Sequence, residues 1–190
     1  LNHVPAGLMH VNGKGLWPDE GHCYWLDPTK EMTLEWIASI ITEIKNMGFD
    51  EVVLTDFCFP QSDMVRLPNE PEVALANAAN WLVQKCGGNK FAISFSVTDH
   101  NFIPPEGRSR MYLEKVPATN VGAVANKVSE NLTEPEVRLV FMADTNDTRF
   151  NNYGVLRPLA TAPAMEAQKA AAATAPTEAT EATTPGGRYG

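Results

Sequence analysis

The sequence predicts an α/β protein built from parallel (β/α) units. Three observations carry this. Short apolar runs alternate with longer segments of helical periodicity. The runs are nearly continuous in apolar residues, as in strands buried on both faces of a parallel sheet. Each run also closes on an acid: "CYWLDP" at Asp27, "EVVLTDFCFP" at Asp56, "ISFSVTDH" at Asp99 and "RLVFMADT" at Asp144. In parallel α/β architectures functional groups gather at the C-terminal ends of the strands, so four acids in register predict one polar rim.

The elements follow in order. Residues 22–28 read as a first strand. "TKEMTLEWIASIITEIKNMG" then sets Leu34, Ile37, Ile40, Ile41, Ile44 and Met47 on one helical face, with Gly48 in the place of a C-cap glycine. "FDEVVLTDF" is a β-branched and aromatic strand that Pro60 closes, because proline cannot donate to a central ladder. "EPEVALANAANWLVQKCGG" is a second helix, with Pro71 in its first turn and Gly87–Gly88 at its end. "KFAISFSVTD" is a third strand, and a loop with Pro104, Pro105 and Gly107 follows. "NVGAVANKVSENL" is a shorter helix with Val121, Val124, Ala125, Val128 and Leu132 inward, and "VRLVFMADT" is the fourth strand. Residues 7–11, "GLMHV", offer a fifth. The helices are expected to cover both faces of the sheet.

From about residue 160 the composition shifts to Ala, Thr, Pro and Glu. Such a stretch buries too little to offset its ordering entropy, so 160–190 reads as a disordered tail after a domain at 1–159. The whole chain has 190 residues and a formal net charge of −8. That charge argues against a nucleic-acid surface, which needs clustered Lys and Arg. No stretch reaches the roughly 18 continuous apolar residues of a membrane span. Cys23, Cys58 and Cys86 are widely spaced, without a CxxC, and read as buried thiols.

At "GFDEVVLTDFCFP" the chain resembles the glycoside-hydrolase-like families of secreted bacterial proteins with a TIM-type barrel. "YWLDP" at 24–28, the helix after it, "GFDE" at 48–51 and the closing Phe59–Pro60 carry the likeness. It covers about residues 20–60, and 61–158 by architecture alone. The family's strand-end Asp falls on Thr55, its Tyr on Asp56 and its Arg on Cys58. The acid is thus displaced by one residue, which in a strand turns a side chain to the opposite face.

The resemblance implies a fold of about half a TIM-type barrel, since a complete one takes about 200 residues or more. With Leu1 as the start, the missing half is expected upstream; failing that, open sheet edges predict self-association. The resemblance also implies an extracellular or cell-envelope location. A complete, doubly wound domain of the flavodoxin type is the competing fold, although it lacks the glycine-rich phosphate loop.

A glycosidase needs two carboxyl groups about the scissile bond. Asp56 and Asp99 are the leading candidates, with Asp144 third. Trp25, Asp27, Phe57 and His100 are candidate carbohydrate-binding residues, the aromatic rings as platforms for a sugar. An Asp after a strand is also a good turn former or helix cap, and Asp27, followed by Pro28, is the best placed of the four for that. Glu51, at the upstream end of its strand, reads as structural. His10, His22 and Asp27 match no standard ligand spacing, so no metal is expected. There is no GxSxG, P-loop or dinucleotide fingerprint, so no cofactor is expected. The expected partner is a carbohydrate, which the chain either hydrolyses or, with Thr55 and Cys58 marking lost chemistry, only binds.

Overall fold

The structure, a computed structural model, describes residues 6–157. The predicted tail at 160–190 lies outside them. In chain order the elements are β1 (Met9–His10), α1 (Glu31–Asn46), β2 (Glu51–Leu54), β3 (Val65–Arg66), α2 (Pro71–Cys86), β4 (Ala92–Val97), β5 (Met111–Leu113), α3 (Val121–Ser129), α4 (Pro135–Arg138), β6 (Leu139–Met142) and β7 (Gly154–Leu156).

Five strands form one sheet in the order β2-β4-β5-β6-β7, and every adjacent pair is parallel. The spatial order follows the chain order without reversal. The sheet therefore lacks the switch point of a doubly wound fold. The register sets Phe95 beside Met111, Met111 beside Leu139 and Leu113 beside Phe141. These side chains share one face, and they join Ile41 of α1, Leu82 of α2 and Val128 of α3 in one buried cluster. The next residues along each strand, Ser94, Ser96, Tyr112 and Val140, point the other way and lie outside that cluster. α1, α2 and α3 thus pack on one face, not on both as the sequence predicts. The other face is polar: Ser94 Oγ donates to Glu51 Oε1 at 2.5 Å, and Tyr112 OH to Glu51 Oε2 at 3.1 Å.

α1, α2 and α3 lie where periodicity places them. α1 ends as predicted: Gly48 takes φ +93°, a left-handed conformation that glycine adopts at little cost, and its N–H reaches the Lys45 carbonyl at 3.1 Å. Gly87 ends α2 for a different reason. Its backbone is extended, and a Cβ there would lie 2.5 Å from the Val83 carbonyl oxygen.

Several elements differ from the sequence reading. Residues 22–28 join no sheet. They make isolated antiparallel bridges, Tyr24 with Pro18 and Leu26 with Gly7. Prolines on both sides of the run remove donors that a ladder would need, and Trp25 turns to a small separate cluster of Leu8, Trp17, Phe59 and Val65. "GLMHV" does contain a strand, β1, but it pairs antiparallel with β3. Three strands also go unseen in the sequence: β3, two residues long, and β5 and β7, three residues each. β4 reaches β5 through a loop at 98–110 with no helix. Arg138 holds this loop: buried to 3% exposure, it donates to the carbonyls of Pro104, Pro105 and Ser109 at 2.6–3.2 Å. Of the three thiols only Cys86 is buried; Cys58 is half-buried and Cys23 exposed.

Candidate functional site at the strand ends

The C-terminal ends of β2, β4, β5 and β6 lie along one rim, because all four strands run the same way. Asp56 follows β2. Its φ is +51°, and its carbonyl accepts from Cys58 N at 2.8 Å. This tight left-handed turn ends the strand's two-residue alternation, so the one-residue displacement of the acid no longer fixes its face. Asp tolerates this conformation better than most residues. The carboxylate is exposed.

Glu114 follows β5 and was not among the residues the sequence singled out, because its strand was not seen. Its side chain accepts a short hydrogen bond from Ser96 Oγ of β4, and the same hydroxyl lies 3.3 Å from Met142 Sδ of β6. Cys58 ties the two acids together. Burial pushes its thiol pKa up, and the negative charges of Asp56 and Glu114 push it further in the same direction. One half-buried thiol therefore feels both carboxylates. Held protonated at neutral pH, it is a poor nucleophile.

The other predicted residues fall elsewhere or into local roles. Asp99 is exposed, and its Oδ1 accepts from Asn101 N at 2.9 Å, closing an Asx turn after β4. His100 beside it is half-buried. Asp144 is exposed at the end of β6. Asp27 does not stand on the sheet's rim, since its run joins no parallel strand. Its Oδ1 accepts from Thr29 N at 2.9 Å and Thr29 Oγ1 at 2.6 Å, while Lys30, not Asp27, holds the N-cap of α1. Phe57 packs inward: its ring centroid lies 4.7 Å from that of Phe95 and 5.5 Å from that of Phe102. Trp25 donates from Nε1 to Asp19 Oδ2 at 3.0 Å. Asp19 also accepts from Cys23 N, and these bonds hold its pKa below the ordinary carboxylate value.

A groove of about 750 Å³ runs beside β2. Its floor is apolar, with Ile37, Ile40 and Leu54 contributing, and Trp25, Asp56 and Phe57 also line it. It brings these three predicted residues together. Asp27, Asp99, His100 and Asp144 do not line it. Among the described residues no group of three or more His, Cys, Asp or Glu side chains is placed to hold a metal, and no helix is long and apolar enough to cross a membrane.

The class this architecture defines is an α/β protein with a five-stranded parallel sheet, helices on one face and acids along the C-terminal rim. No protein-family model, curated protein or solved structure matches the chain.

Proposed function

We propose that the chain is a glycoside-hydrolase-like domain that acts on carbohydrate through Asp56 and Glu114. The observation that carries this is the placing of Asp56 after β2 and Glu114 after β5, at the C-terminal end of one parallel sheet, with the charges of both adding to burial in raising the Cys58 thiol pKa. That is where α/β enzymes place their chemistry. β4 lies between β2 and β5, so at about 4.8 Å per step the two strand ends stand about 10 Å apart. The groove beside β2, with Trp25, Asp56, Cys58 and the exposed Tyr24 on its lining, is the proposed sugar-binding cleft; Glu114 stands outside that lining, at the end of β5. Tyr24, 64% exposed, is freer to stack on a pyranose than Phe57, which the core holds.

The same proposal takes the sheet as part of a TIM-type barrel. Strand order without reversal, helices confined to one face and a polar second face all support it. An extracellular or envelope location belongs to the proposal too and rests on the resemblance alone.

A second reading is a module that binds carbohydrate without cleaving it. The protonated Cys58, where the family carries Arg, favours it. The 190-residue chain, incubated with a panel of neutral polysaccharides and chromogenic glycosides, separates the two. Hydrolysis that falls at least a hundredfold in both Asp56→Asn and Glu114→Gln supports the enzyme. Binding by calorimetry without turnover, weakened by Tyr24→Ala, supports the module. Neither binding nor turnover across the panel refutes both.

A further inference from the structure

We propose that Ser96 is the positioning residue for Glu114: its hydroxyl fixes one carboxylate oxygen and leaves the other for a substrate. This rests on the reading of Glu114 as a working carboxylate and names the group that aims it.

Two serines of β4, Ser94 and Ser96, stand two residues apart on the sheet face that the helices leave, and they are 0% and 1% exposed. A buried hydroxyl is costly unless it is bonded. Each of these is bonded to a carboxylate. Ser94 Oγ donates to Glu51 Oε1, and Ser96 Oγ donates to Glu114 Oε1. The second oxygens differ. Glu51 Oε2 accepts from Tyr112 OH at 3.1 Å and lies 3.6 Å from Arg110 NH1. Among the described residues nothing donates to Glu114 Oε2. The same device thus closes Glu51 on both sides at the upstream end of the sheet, and holds the half-buried Glu114 by one side only at the downstream end.

The hold on Glu114 is stiff because β4 is an inner strand, with β2 on one side and β5 on the other. Glu114 is tied to β4 twice, by the Ser96 hydroxyl and by its own N–H, which donates to the Val97 carbonyl at 3.3 Å. Lys115, at φ +57°, turns the chain directly afterwards. The Ser96 hydroxyl has one hydrogen and two acceptors within reach, Glu114 Oε1 and Met142 Sδ. A carboxylate accepts far more strongly than a thioether, so the hydrogen goes to Glu114. Without that bond the long side chain spreads over several rotamers. With it, the charge stays where it bears on Cys58.

Two readouts on the 190-residue chain test this. The first needs no turnover: the rate of Cys58 alkylation by iodoacetamide across pH, followed at that residue by mass spectrometry, gives the midpoint of the thiol. Ser96→Ala should lower this midpoint as far as Glu114→Gln does, and the double variant no further, because both changes remove the same fixed charge while Asp56 keeps its own. The second is glycoside hydrolysis, in which Ser96→Ala should lower kcat roughly tenfold to a hundredfold with KM unchanged. Ser94→Ala and Met142→Leu should move neither readout. Circular dichroism should show Ser96→Ala folded, because alanine is smaller and water can reach the half-buried Glu114. A wild-type Cys58 midpoint in folded Ser96→Ala overturns the proposal. So does an equal shift in Ser94→Ala or Met142→Leu, which would mean general loosening or a bond to the sulfur. Turnover lost in Glu114→Gln but kept in Ser96→Ala sinks Ser96 and leaves Glu114 standing. If no glycoside is turned over, the catalytic reading of Glu114 falls, and the Cys58 midpoints alone decide whether Ser96 holds it.

Discussion

Arg138 sits under the candidate site's longest loop, and its replacement by Met tests how that loop is held. The guanidinium is 3% exposed and has no carboxylate within salt-bridge distance among the described residues. Instead it donates to Ser109 O at 2.8 Å, Pro104 O at 3.2 Å, Pro105 O at 2.6 Å and Thr133 Oγ1 at 2.6 Å. Burial lowers its pKa, which is the sign of a charge kept from water at a cost. Met fills the same channel but leaves these acceptors bare. Ser109 and Pro104 are buried, and an unsatisfied buried acceptor costs about 1–3 kcal/mol. Two of them give about 2–6 kcal/mol, and relief of the buried charge offsets part of that. The expected net loss is about 3 kcal/mol, read by urea denaturation. At about 2–4 °C per kcal/mol for a domain of this size, the melting temperature should fall by roughly 6–12 °C. Hydrogen exchange should accelerate across 98–110, the segment that carries Asp99 and His100. Arg138→Lys should not rescue, because one ammonium cannot reach acceptors on three sides. A loss below about 1 kcal/mol, or an unchanged exchange rate in 98–110, would refute the argument that this side chain is the latch.

Two further expectations concern charge. Asp56→Asn and Glu114→Gln should each lower the Cys58 thiol pKa toward its ordinary value and speed its alkylation by iodoacetamide at pH 8, since each removes a negative charge that disfavours the thiolate. If neither change alters the rate, the two acids do not share a mouth with Cys58. Asp147 has a carboxyl pKa lowered from 3.8 to about 2, chiefly by the Arg149 side chain, whose NH2 group is 2.6 Å away. A depressed folded-state pKa stabilises the fold above pH 3.8, and this contribution fades as the pH falls through about 2. Carbon-detected NMR titration should place the midpoint near 2, and Arg149→Gln should raise it; an unchanged midpoint would remove Arg149 as the cause.

How much of this was legible from residues alone differs by element. α1 and α2 were plain, because each writes its own period into 16 residues and ends on a recognisable breaker, Gly48 or Gly87; β4 was plain as a continuous apolar run closed by the polar turn at Asp99. β5 and β7 were not. Three residues such as Met111–Leu113 hold no full period, and what makes them strands is the neighbour on each side. Glu114 stayed hidden with β5, although an acid directly after an apolar "MYL" was the one signal present.

By itself the sequence determined that this is an α/β protein with parallel strands, where its principal helices lie and which of their faces are apolar. Those properties arise from local spacing. The tertiary structure alone decided that residues 22–28 stay out of the sheet, that the helices crowd onto one face and that Asp56 and Glu114 both act on Cys58. Each depends on which partner a segment meets, and the energies that choose among partners come from contacts between residues far apart in the chain, which no local pattern records.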